Sequence, residues 1–113
     1  MVVRHWREAE EMEPQEEGAV GVKVRVLIGQ EEGAPNFVMR YFTVEPGGQT
    51  PYHSHPWEHE VFVLSGHGEV RQGEETLPVS PGTTVYIPPG EEHQFLNRGD
   101  ESLVFLCLIP RTN

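Results

Sequence analysis

The sequence predicts an all-β domain, a sandwich or barrel of roughly eight to ten short strands. Three observations carry this. Apolar residues alternate with polar ones at a period of two, turn residues recur at short intervals, and no window beyond about ten residues keeps a capped helical period. Length points to one domain, because 113 residues are too few for two independent cores.

Taken in order, Glu8 to Glu17 holds six glutamates around Pro14 and reads as a solvated acidic leader, residues 1–18, before a single domain over residues 19–113. Val20, Val22, Val24, Val26 and Ile28 alternate with Gly21, Lys23, Arg25 and Leu27, so Val20–Ile28 is a strand with one buried face. Phe37–Val44 is the next, ended by the turn Pro46-Gly47-Gly48. Further strands are expected at 60–64, 69–71, 74–79, 83–87, 93–96 and 102–109. The intervening clusters Gly66-His67-Gly68, Gln72-Gly73, Ser80-Pro81-Gly82, Pro88-Pro89-Gly90 and Asn97-Arg98-Gly99-Asp100 have turn chemistry.

Composition excludes several functions. Eight Lys and Arg against eighteen Asp and Glu give a formal charge of −10, which repels phosphate backbones and anionic lipid heads, so neither nucleic acid nor membrane is an expected partner. The opening residues run into glutamates rather than an apolar signal, and the one cysteine, Cys107, can form no internal disulfide. Both features point to the cytoplasm.

The chemistry concentrates in the histidines. His53 and His55 are two apart and, in extended chain, share a face about 7 Å apart. His59 shares the parity of the inward Val61 and Val63, and His93 arrives from a strand far along the chain. His5 and His67 lie in the leader and in a turn and read as surface residues.

Gly47, five residues, His53, one residue, His55, three residues, His59, six residues and Gly66 resemble the first motif of the cupin superfamily, with His59 where the acidic ligand usually stands. Gly82, five residues, Pro88, one residue, Gly90, two residues, His93, three residues and Asn97 match the second. Glu60 competes for the acidic position. The six residues between His59 and Gly66, and the parity that turns Glu60 outward, favour His59. Glu60 is left to a packing surface or to a supporting position behind the ligands.

The resemblance implies a cupin-type double-stranded β-helix, a jelly-roll barrel, and more narrowly a small single-domain bacterial cupin. It further implies a divalent metal held by His53, His55, His59 and His93, manganese first, and a homodimer. Ligand type alone suits Fe, Ni, Cu or Zn equally well. Four neutral imidazoles leave the ion's charge uncompensated, so an anionic or oxygen-rich small molecule is the expected ligand. Arg40, Tyr52, Phe95, Phe105 and Cys107 are the expected pocket residues, with Trp57 at the mouth. The expected function is a metal-dependent oxygenase or related oxidoreductase acting on a small oxygenated molecule. The alternative is a non-catalytic module binding a sugar, a carboxylate or metal.

Overall fold

Alternation is the rule that builds the molecule, and it is clearest on the strand β2, Val20–Ile28. In the computed structural model, which describes residues 1–112, Val22, Val24 and Val26 of β2 line an internal cavity, while Lys23 and Arg25 face the other way and pair with Glu11. Asn113, the last residue of the expected domain, lies outside the described residues.

The strand β3, Phe37–Gln49, pairs antiparallel with β2 and with β9, Leu103–Pro110. Next to β9 lies β4, His59–Ser65, and beyond it β7, Thr84–Ile87. The far end of β3 turns onto β8, Gln94–Leu96, which continues into β5, Gly68–Gln72, and β6, Glu75–Val79. The sheet thus curls through the order β6-β5-β8-β3-β9-β4-β7 and encloses its apolar face. This is the expected all-β fold, a curled β-barrel half of the jelly-roll kind, with helix limited among the described residues to two 3-10 turns at Trp6–Glu8 and Gln30–Glu32. No helix among the described residues is long and apolar enough to cross a membrane.

Register stacks the interior in belts. Val26, Arg40, Cys107, Val61 and Val85 are successive cross-strand partners, and so are Val24, Phe42, Phe105 and Val63, and Val22, Val44 and Leu103. Phe105 lies at the centre, stacked on Phe42 at 5.2 Å and on Phe95 at 4.6 Å between ring centroids. Leu103, Val44 and Val63 have no exposure and form the close-packed part of the core, while members of all three belts, among them Val22, Phe42, Phe105, Arg40 and Cys107, line a cavity beside it.

Two expectations change. The turn expected at Pro46-Gly47-Gly48 lies inside β3, where the register with β2 shifts between Val20 and Val22. A side chain at Gly48 would stand 2.5 Å from the Val20 carbonyl oxygen, so the glycine lets β2 close against the bend. The segment before Val20 keeps its glutamates exposed, as expected of a solvated run, but it is also tied to the barrel. Its strand β1, Glu11–Met12, pairs with β2, and Ala9 is buried. The Arg25 guanidinium donates to the carbonyls of Arg7 and Ala9 at 3.1 and 2.6 Å, and Trp6 stacks on Tyr41 at 4.6 Å. The cationic outer face of β2 thus answers the acidic run.

Asn97, which closes the second motif, is buried and serves the fold. Its amide donates to the carbonyls of Val44 and Glu101, both at 2.8 Å, and its carbonyl accepts from the Gly99 N–H. That buried network ties the end of β8 to β3 and to the turn entering β9.

Candidate metal centre

Four imidazoles meet at one end of the cavity. His53 and His93 are opposed as a backbone bridge, each N–H donating to the other's carbonyl at 3.1 and 2.9 Å, so the two loops that carry them are locked together. His59 opens β4 on its inner face, paired with Ile87 of β7. Ring centroids stand 4.4 Å apart for His53 and His55, 5.4 Å for His55 and His59, 4.8 Å for His59 and His93, and 4.9 Å for His93 and His53, a closed circuit. Trp57 stacks flat on His55 at 4.5 Å and backs it from outside.

Their surroundings keep three of these rings neutral. Burial, the neighbouring His93 and Arg40 hold the imidazole of His59 down at about 3. Burial and His53 lower His55, and burial lowers His93 against the opposing pull of the Glu91 carbonyl. Neutral imidazole is the form that offers a lone pair to a metal.

The donor set fits a divalent ion of intermediate softness. His93 Nδ1 lies 3.0 Å from the Glu91 carbonyl oxygen and donates to it, which leaves Nε2 with the lone pair. His59 Nδ1 is buried with no partner in the protein, a cost that a bound group would remove. Among the described residues, donor atoms of Glu16, His53 and His55 lie mutually within 4.8 Å, so a carboxylate from the acidic segment stands beside the histidines.

The cavity, about 200 Å³, carries mostly apolar walls: Val22, Val24, Val26, Phe42 and Ile87 beside the expected Phe95, Phe105 and Cys107. The valines could have been read from the sequence as the buried face of β2. Glu16 and Pro14 could not, since nothing distinguishes Glu16 among six glutamates.

Arg40 is the cavity's cation. Its guanidinium lies over the Phe42 ring at 4.9 Å and donates to the Cys107 sulfur at 3.1 Å, and among the described residues it forms no ion pair with a carboxylate. Its Nε is buried without a partner. Burial pushes the Cys107 thiol up, although Arg40 beside it acts in the opposite direction.

Two expected residues lie elsewhere. Tyr52, next to the inward His53, takes the opposite parity. Its ring lies under the Arg71 guanidinium at 4.5 Å, and its oxygen accepts from the Gly73 N–H at 2.8 Å. Glu60 is exposed on the outer face of β4 opposite Tyr86 and Leu108, so it packs at a surface and does not support a ligand.

Residues 40–109 match the cupin domain model. The chain belongs to the cupin family. In structure it is similar to the polyketide cyclase RemF from Streptomyces resistomycificus, at a TM-score of 0.92 and 36% identity over 97% of this chain and 79% of that one. It is also similar to a predicted oxalate decarboxylase from Thermotoga maritima, with a TM-score of 0.83, 26% identity, 99% of this chain and 100% of that one. In sequence it is 39% identical over 71 residues to the 1-methylthio-D-xylulose 5-phosphate methylsulfurylase of Rhodospirillum rubrum, covering 63% of this chain and 46% of that protein. The chain therefore spans less than half the length of that curated relative.

Proposed function

We propose that this cupin is a metal-dependent enzyme, an oxygenase or related oxidoreductase, acting on a small and largely apolar molecule that carries two neighbouring oxygens. The observation that carries the reading is the cavity: four convergent imidazoles at one end, aromatic and aliphatic walls, and one arginine without a carboxylate. A divalent ion bound by His53, His55, His59 and His93 supplies Lewis acidity to oxygens placed against it. Manganese is the ion that the motif resemblance implies.

The protein's own groups do the rest. Arg40 offers hydrogen bonds and positive charge to an enolate or carboxylate oxygen, and holding Cys107 fixes its guanidinium. Phe95 and Phe105, stacked on each other, give the cavity an aromatic wall, and the valines of β2 keep water from the ligand. A sugar phosphate fits less well, because a phosphate asks for several cationic or N–H donors and Arg40 is the one arginine or lysine lining this cavity.

The likeness to a polyketide cyclase along nearly the whole chain favours a second reading, Lewis-acid ring closure of a carbonyl-rich substrate, in the same cavity. Oxygen uptake separates the two. Metal-loaded protein is offered catechols, flavonols and β-diketones under air, with dissolved oxygen and product mass recorded. Oxygen consumption supports the oxygenase, conversion without it supports ring closure, and binding without conversion leaves a ligand-binding module. Elemental analysis of the protein and of His59→Ala tests the metal: one ion per chain is expected in the parent and a loss of at least tenfold in affinity in the variant. We also propose a homodimer, with the exposed Phe62, Leu64 and Tyr86 as the face covered by the second copy, and sedimentation showing only monomer at micromolar concentration overturns it.

A further inference from the structure

Glu16 belongs to neither histidine motif nor to a strand, yet it lies in the cavity wall with its Oε2 in direct contact with His53 Nδ1. The chain is brought there by specific geometry. Arg25 and Trp6 fasten the segment upstream, and Gly18, at φ +96°, carries the chain past Pro51 toward β2. A carboxylate in contact with one ring nitrogen accepts its proton, which fixes the tautomer and leaves the lone pair on the other nitrogen. His93 is held in the same way, its Nδ1 donating to the Glu91 carbonyl. The two bridged histidines are thus oriented alike, one by a backbone carbonyl and one by a side chain from outside the motifs.

We propose that Glu16 is a positioning residue of the metal centre: it holds His53 with Nε2 toward the shared ion, so that metal affinity and the ordering of the acidic segment are coupled. The inference rests on the four-histidine reading. Position 59 has an imidazole where the first motif resembles one with a carboxylate, and Glu16 returns a negative charge to the vicinity without occupying that position. Linkage makes the coupling reciprocal: whatever the segment contributes to holding the ion, the ion contributes to holding the segment.

The test uses Co²⁺ as probe, with affinity from calorimetry, the visible spectrum of the saturated protein, and hydrogen exchange of residues 13–18 with and without ion. Glu16→Gln is expected to weaken Co²⁺ by about 10–100-fold and leave the saturated spectrum unchanged, because the ligand atoms are the same. Protection of residues 13–18 on adding Co²⁺ is expected in the parent and reduced in the variant. Glu17→Gln removes the same charge from an exposed neighbour and is expected to bind as the parent does. Glu16 is itself exposed, so the folded state of Glu16→Gln is checked by its circular dichroism and thermal transition before titration.

If the parent binds no Co²⁺, the metal reading fails and this inference falls with it. If the parent binds and Glu16→Gln binds equally well, the metal reading stands and the inference is overturned. A changed spectrum in Glu16→Gln overturns it in favour of direct ligation by Glu16, and an equal loss in Glu17→Gln overturns it in favour of bulk charge.

Discussion

The barrel and the acidic segment that crosses it both reach the candidate metal centre, but they are built by different physics. On the barrel each residue's place follows from parity. His59, Val61 and Val63 of β4 point in because they are two apart, and Glu60, Phe62 and Leu64 point out for the same reason. The segment has no period. It is held by a guanidinium, a stacked indole and two residues of strand pairing, contacts that join positions far apart in the chain. A regular lattice constrains every side chain at once, while a strap is constrained only where it is tied. Each prediction below loads one side of that contrast.

The largest effect belongs to the barrel. Phe105 is 2% exposed and stacks on both Phe42 and Phe95, so Phe105→Ala removes the piece on which two belts rest. A loss of about 3–5 kcal/mol is expected in urea unfolding, together with a looser cavity. A loss under about 1 kcal/mol would mean that the belts do not meet at Phe105.

That contrast also explains what the sequence made legible. The strand Val20–Ile28 has the expected bounds and the strands from β4 to β9 differ by a residue at their ends, because their parity and turn residues are local signals, whereas β3 runs five residues past the expected Val44 and β1 was not expected. Arg40, Phe95, Phe105 and Cys107 line the cavity because register carries inward residues around the sheet in belts. Tyr52 fails by the same rule that places His53, one position of parity separating them. The bend inside β3 has the sequence of a turn because Pro46, Gly47 and Gly48 have turn chemistry wherever they stand, and only the approach of β2 makes them a bulge. Glu16 was illegible because its significance depends on where Arg25 and Trp6 anchor the chain.

An intermediate effect is expected from the imidazole that the barrel buries. In metal-free protein, folded His59 titrates near 3, while in the unfolded chain it takes a proton near 6.5. Because its folded pKa is depressed, the contribution of His59 is complete above pH 6.5 and is lost as pH falls toward 3, with a slope of about 1.4 kcal/mol per pH unit. Between pH 6.5 and pH 4 that amounts to about 3 kcal/mol. The comparison is with His59→Gln, which lacks the proton site: the stability difference between the two proteins should shift with pH by that amount. A difference that stays flat with pH would mean that the cavity lets His59 protonate in place, and the barrel would then be wetter than its walls suggest.

The smallest effect should come from untying the segment. Arg25 stands on the outer face of β2, where its guanidinium donates to the Ala9 carbonyl at 2.6 Å, to the Arg7 carbonyl at 3.1 Å and to the Glu11 carboxylate at 3.2 Å. Arg25→Ala leaves those acceptors to water, which reaches most of them, so a loss of about 1–2 kcal/mol is expected rather than the sum of three buried charge-assisted bonds. None of the belts includes Arg25, so the barrel should keep its cooperative transition and its denaturant slope. The local consequence should exceed the global one. Limited proteolysis is expected to cut the variant within residues 1–18 at least several-fold faster than the parent, with the barrel left intact. If the segment instead stays protected in Arg25→Ala, Trp6 on Tyr41 and the β1 pairing suffice to hold it, and the segment would be as over-determined as the barrel it crosses.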